Sequence, residues 1–350
     1  MTPEQLIKTM RGRMPFDTAR KILEGHEVGR GMGWDNTLRR FLEDDVDDEV
    51  LESLTEALKQ HILCGEKSTR FYRLNKASME ALRNSVRQIN VPNNRFQRAY
   101  PAQLDDEEID GRIRPPTLAA LERSEDGIGL VYASTRAFHK RESIDPSTLG
   151  DDAASALENY DEVIGISLQK YQAMDVVWIP HRGNYVEIRV DYPKGMHADT
   201  LEAAHNSTKL LFANTLDENA LPDPVNLFPL IQRIYDAANE GHVVELGFGT
   251  TTGSLKHEKM RRGSLCLRRE TYHRGGKSAL TTPIEPYNLS VRWRVPLGGI
   301  ISHPELSLHG NARIAGSADP TIHEMTVRGC VGAADYEHVR DRVEHFLRQP

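Results

Sequence analysis

Apolar residues recur at three- and four-residue spacing through most of the first hundred positions. Leu6, Ile7 and Met10 predict a short helix after Pro3, and Ala19, Ile22 and Leu23 predict a second, stopped at Gly25. Glycines at 25, 29, 31 and 33 then predict a loop, and Asp35 stands where a cap for a helix through Leu38, Phe41 and Leu42 belongs. The clearest stripe is Val50, Leu51, Leu54, Ala57, Leu58, His61 and Ile62, capped at Asp47 or Asp48 and ending near Gly65. Residues 69–74 read as a strand. Lys76 to Ile89 reads as a helix with Met79, Leu82, Val86 and Ile89 on one face.

The texture changes after Pro92, Pro101, the acidic run 105–108 and Pro115-Pro116. Residues 129–133, 163–168, 175–179 and 185–190 read as strands, with His181-Arg182-Gly183-Asn184 as the turn before the last. Alternation places Glu187 and Arg189 on one face and Val186, Ile188 and Val190 on the other. Asp199 predicts the start of a helix through Leu201, Ala204, Leu211 and Phe212. After the break at 221–224, Val225 to Tyr235 reads as an amphipathic helix. Strands are predicted at 243–248, 265–271, 288–295 and 325–330, and a closing helix after Asp335.

Strands and helices mix without regular alternation, which predicts an α+β fold: a helical N-terminal domain followed by an antiparallel-sheet and helix body of one or two subdomains. The expected divisions are a mainly helical 1–100, a linker at 101–125, and α+β segments at 126–220 and 225–350. The order of helices 18–25, 35–43 and 48–63 and a strand at 69–74 is winged-helix-like. The glycine-rich turn is too long for the usual helix-turn-helix, however, and a small bundle that docks partners fits better. No run of 18 apolar residues occurs, so no membrane partner is expected. The start of the chain lacks an apolar leader core, and three widely spaced cysteines (64, 266, 330) suit a reducing compartment, so a cytoplasmic location is expected.

Charge changes the picture. The chain carries 44 Lys and Arg against 51 Asp and Glu, net −7, unevenly spread. Window 67–98 holds eight cations against Glu80 alone, and window 256–277 holds eight against Glu258 and Glu270. These windows are +7 and +6, and the remaining residues carry −20. Concentrated cations release counterions from phosphates, which supplies most sequence-independent affinity for nucleic acid. Phe71, Tyr72, Phe96 and Tyr272 lie among the arginines and could stack on unpaired bases. The expected phosphate contacts are Arg261, Arg262, Arg268, Arg269, Arg274 and Lys277, with Arg70, Arg73, Arg83 and Arg87 second. The competing reading pairs these windows with the acidic runs at 44–49 and 105–110, within the chain or in an assembly.

Catalytic signatures are missing. None of the pairs His26-Glu27, His257-Glu258 and His323-Glu324 continues as HExxH, and no GxSxG occurs. No lysine has an acid two residues before it, which removes the common metal-nuclease pattern. Gly275-Gly276-Lys277-Ser278 lacks the leading glycine of a phosphate loop, where Thr271 stands, and Gly247, Gly249 and Gly253 lack dinucleotide spacing. No cofactor, metal or catalytic residue is therefore assigned. For an enzyme on a phosphorylated or nucleic-acid substrate, the first residues to inspect are His242, Glu245, His257 and Glu258. The leading expectation is a non-catalytic nucleic-acid-associated protein, with a scaffold or assembly subunit as alternative and that enzyme as third.

Overall fold

The computed structural model describes residues 1–349 apart from 30, 44, 45, 112, 158, 217–220, 251 and 298. The expected acidic run at 44–49 thus lies partly outside the described residues.

The strands are β1 (Lys67–Arg73), β2 (Thr117–Arg123), β3 (Gly127–Ile144), β4 (Val163–Pro180), β5 (Tyr185–Asp191), β6 (His242–Gly249), β7 (Leu255–Lys259), β8 (Glu285–Arg292), β9 (Val295–Leu297), β10 (Ile300–Ser302), β11 (Glu305–Leu308) and β12 (Glu324–Arg328). Ten of them form one antiparallel sheet in the order β2-β3-β4-β5-β1-β12-β11-β8-β6-β7, and β9 pairs with β10 separately. The fold is mixed α+β, with helices gathered at the N-terminus.

β1 joins the two halves of the sheet. It pairs with β5 from Lys67↔Asp191 to Arg73↔Tyr185, and with β12 from Lys67↔Val327 to Arg70↔Glu324. β1 is thus an interior strand, hydrogen-bonded on both sides. The expected windows 1–100, 126–220 and 225–350 all contribute to this one sheet. Residues 101–125, read as a linker from their prolines, hold the short helix Asp106–Gly111 and β2, whose Leu118, Ala119 and Ala120 are buried.

Side-chain alternation assigns the layers. Lys67, Thr69 and Phe71 face one side together with Val327, Met325 and Arg189. On that side, helices Pro3–Arg13, Phe16–Gly25, Trp34–Glu43 and Asp48–Cys64 pack Leu6, Ile22, Phe41, Leu54 and Ile62 against Val131, Met174 and Val176. Helices Pro229–Asp236 and Ala333–Leu347 cover the other half of the same side through Ile231, Ile234, Val339 and Val343. The opposite side of β1–β5 is covered by helices Lys76–Arg87 and Ala198–Leu216 through Met79, Leu82, Val86, Leu201 and Phe212. Each such large apolar side chain stabilises the fold by roughly 1.5–3 kcal/mol.

Two strand expectations are corrected. Segments 163–168 and 175–179 belong to one strand, β4, which pairs with β3 over 18 residues from Gly127↔Pro180 to Ile144↔Val163. The distal part of this hairpin, where only β3 and β4 pair, exposes Ile164, Ile166 and Leu168 in alternation. Segment 265–271 is not a strand. Leu267–Arg269 is a turn of 3-10 helix, and Glu270 begins the helix Thr271–Ser278 by accepting the His273 amide at 2.7 Å. The alternation of Leu265, Cys266 and Leu267 imitated a strand, but Leu265 is exposed while Cys266 and Leu267 are both buried.

Candidate functional site

The two basic windows occupy different places. β1 and β7 are separated by β12, β11, β8 and β6, about 24 Å at the usual strand spacing. Helix Lys76–Arg87 packs on one face of the sheet, while Thr271–Ser278 is tied to helix Pro229–Asp236 on the other. The windows therefore do not merge into one patch.

In the first window, Lys67 is fully buried and donates to Asp191 at 2.5 Å and to the Met174 carbonyl at 2.7 Å. Arg70 pairs with Glu324 at 2.8 Å, Arg95 with Glu108, and Arg83 donates to the carbonyls of Pro180 and Gly183. Arg73 and Arg87 remain exposed.

The second window separates anchors from free cations. Arg268 donates to the carbonyls of Ile234 (2.6 Å), Tyr235 (2.8 Å), Glu240 (3.0 Å) and Gly241 (3.2 Å). Two of these carbonyls end helix Pro229–Asp236, where backbone acceptors lack intrahelical donors and a cation is favoured. A second anchor is a polar chain. Glu258 Oε2 lies 2.6 Å from His273 Nδ1, His273 Nε2 lies 2.8 Å from the Tyr235 hydroxyl, and Lys277 Nζ donates to that hydroxyl at 3.1 Å. Lys277 also sits 4.5 Å above the Tyr235 ring. Arg268 and Lys277, both expected phosphate contacts, are thus committed to holding the segment.

With these anchors in place, Arg261, Arg262, Arg269 and Arg274 are exposed, and among the described residues none forms an ion pair. Exposed Tyr272 lies beside them. The turn carrying Gly263 and Ser264 borders a cavity of about 480 Å³, lined also by Arg269, Arg292, Arg294, His242 and His303. No carboxylate lines it among the described residues. Arg292 is ion-paired with Glu305, whose Oε2 accepts from its Nε at 2.9 Å and from its Nη2 at 2.5 Å. Partial burial lowers the His303 pKa from its ordinary value, and Lys21, Arg292 and Arg294 lower it further against the pull of Asp335. Cations therefore outnumber anions around His303. Sequence reasoning missed Arg292, Arg294 and His303 as partners because Arg292 ends β8 and Arg294 and His303 lie in the connections that follow it, about 25 to 40 residues beyond the 261–269 turn, where local pattern does not reach.

The residues singled out for chemistry do not converge. Glu245 holds His257 at 2.9 Å and Lys259 at 2.6 Å on the β6–β7 pair, which lowers the Glu245 pKa although burial opposes it. Glu258 is occupied with His273, and His242 opens into the arginine-lined cavity instead. Among the described residues, no cluster of three His, Cys, Asp or Glu side chains is placed to hold a metal ion, and no helix is long and apolar enough to cross a membrane. Family models, curated proteins and solved structures were all compared with the chain, and none matches.

Proposed function

We propose that the protein binds the phosphate backbone of nucleic acid through the anchored segment 256–277 and the arginine-lined cavity beside it. The first basic window makes a minor contribution at most. The carrying observation is unpaired Arg269 on the wall of a cavity whose described lining also holds Arg292, Arg294, His242 and His303 and no carboxylate, with exposed Arg261, Arg262 and Arg274 on the same segment. Arginine suits this role because its planar fork grips phosphate oxygens bidentately. The acidic remainder of the chain repels polyanions elsewhere and so favours this one approach. Rigid anchoring by Arg268 and the Glu258–His273–Tyr235–Lys277 chain lowers the ordering cost of binding.

The test is a fluorescence-anisotropy titration of a labelled duplex and a labelled single strand at two salt concentrations. Binding at low salt with a steep salt slope is expected. Replacing Arg261, Arg262, Arg269 and Arg274 together by alanine should weaken binding and make the slope shallower by about 3–4 on a duplex. Absence of binding at low salt, or binding without a salt slope, rejects the reading.

A second reading, a protein-assembly role, is favoured by the exposed row Ile164, Ile166 and Leu168 on the projecting β3–β4 hairpin, since exposed apolar rows mark contact surfaces. Sedimentation of the chain with Ile166→Asp and Leu168→Asp beside the parent tests it. An unchanged monomeric mass in both would leave self-assembly without support.

A further inference from the structure

The cavity beside the 261–269 turn holds more donors than a passing backbone phosphate uses. Arg269, Arg292 and Arg294 line it with the rings of His242 and His303, between the backbone turns at 238–241 and 263–264. Buried Trp293 and Cys266 complete this lining. Arg269, Arg294, His242 and His303 are all exposed, and among the described residues their side chains form no hydrogen bond or ion pair. Arg292 gives Nε and Nη2 to Glu305, and its Nη1 lies against Gly263, where an added Cβ would stand 2.0 Å away. Any larger residue at 263 would displace this guanidinium.

A phosphodiester within a strand carries one negative charge and two unbridged oxygens, which a single arginine fork satisfies. A terminal phosphomonoester carries about −1.5 to −2 charge near pH 7 and three such oxygens. Three arginines and two exposed imidazoles, with no carboxylate in the described lining, match the second better than the first. Room points the same way. A volume of about 480 Å³ falls in the size range of small-ligand sites and admits one nucleotide, whereas a continuous backbone runs across an open surface. Arg261, Arg262 and Arg274 supply such a surface, being exposed on the same segment and outside the described lining.

We propose that the cavity is an end site: it binds a terminal phosphomonoester, carried by a nucleic-acid strand or by a free nucleotide, with Arg269, Arg292 Nη1 and Arg294 as donors. This end site rests on the phosphate-binding role of the cavity and adds which phosphate enters it. The two sets of arginines then divide the work. Arg261, Arg262 and Arg274 hold the diesters of any strand, and the cavity distinguishes a phosphorylated end from a hydroxyl one.

The test titrates the full chain by fluorescence anisotropy with one internally labelled single strand in three forms: 5′-phosphorylated, 3′-phosphorylated and hydroxyl-ended. Calorimetry adds a nucleoside monophosphate and its parent nucleoside. One phosphorylated form should bind at least about tenfold tighter than the hydroxyl-ended form, the factor for one charge-assisted contact. Arg294→Gln, at an exposed side chain without a partner, should reduce that ratio at least about threefold. Arg261→Ala with Arg262→Ala should weaken all three forms and keep the ratio. A monophosphate that binds as tightly as the phosphorylated strand identifies the free nucleotide as the ligand, and one about tenfold weaker identifies the strand end. If no strand binds but the monophosphate does and its nucleoside does not, the backbone reading fails and the end site stands. Equal binding of the three strands, with no affinity for the monophosphate at about 10 mM, overturns the end site and leaves the backbone reading intact. A preference that Arg294→Gln does not reduce puts the phosphorylated end outside this cavity and overturns it as well.

Discussion

Lys67 and Asp191 face each other across β1 and β5 with Nζ and Oδ1 2.5 Å apart, at the centre of the ten-stranded sheet. Asp191 is the hub of this network. Arg13, from the first helix, donates to it at 2.9 Å, and the Met174 amide donates at 2.6 Å. Burial alone would raise the Asp191 pKa, but Arg13, Lys67 and these hydrogen bonds outweigh it and bring it down to about 2. Asp191→Asn strands two buried cations and should cost about 3–5 kcal/mol of stability. Lys67→Met leaves Asp191 still paired with Arg13 and should cost less. Urea unfolding of the two variants checks the order, and equal losses would contradict a network centred on Asp191.

Acid sensitivity follows from His61. The ring is fully buried, and neither nitrogen has a hydrogen-bond partner among the described residues. Burial, with Arg13 and Lys67 nearby, lowers its pKa from 6.5 to about 3. A depressed pKa contributes stability that is complete above the unfolded value and is lost as pH falls through the folded one. His61 therefore withdraws stability between pH 6.5 and about 3, on the order of 5 kcal/mol in all. His205, buried behind Ser68 at 3.0 Å, is shifted the same way by burial. Asp191 adds its own loss below pH 3.8. His61→Met should flatten the dependence of unfolding free energy on pH across that window; an unchanged slope would show that His61 is not held neutral.

Arg268 and Arg269 are adjacent in sequence and opposite in role. Arg268 gives its donors to four backbone carbonyls, while Arg269 is exposed at the cavity. Arg268→Met should destabilise by about 2–3 kcal/mol, the range for charged donors removed from semi-buried acceptors. It should also speed amide exchange through 266–278 while leaving the salt slope of nucleic-acid binding unchanged. Arg269→Ala should barely alter stability and should lower that slope by about 0.9. Reversed effects would exchange anchor and contact.

Glu187 and Arg189 mark the limit of what patterning reveals. Apolar periodicity located the helix Asp48–Cys64, and alternation in β5 separated Glu187 and Arg189 from Val186, Ile188 and Val190. Periodicity reports which residues share a face but not what covers that face. Glu187 and Arg189 are as buried as the valines because Tyr336 and Arg340 of the last helix, about 150 residues away, close over them. Window 67–98 read as a solvated patch for the same reason. Its most central cation, Lys67, is balanced by an aspartate 124 residues further on. Charge counts find the cations and leave their partners to topology. At 265–271, Glu270 was a signal within reach, because a side-chain acceptor three residues before an amide that needs one marks a helix start.

His303 offers a local report on whether anions enter the arginine-lined cavity. In the free protein its pKa lies below 6.5, through partial burial and then Lys21, Arg292 and Arg294, against which Asp335 pulls upward. An anion seated among Arg269, Arg292 and Arg294 would cancel that positive potential and favour the imidazolium, so the His303 pKa should rise on binding. By linkage, the complex takes up protons and binding strengthens as pH falls through the His303 range. Imidazole resonances followed by nuclear magnetic resonance, with and without a short duplex or pyrophosphate, measure the shift directly. His303→Gln identifies the resonance and should remove this part of the pH dependence while the salt slope persists. A His303 titration that does not move when the duplex is bound would mean that the phosphates sit outside the cavity, on Arg261, Arg262 and Arg274 alone.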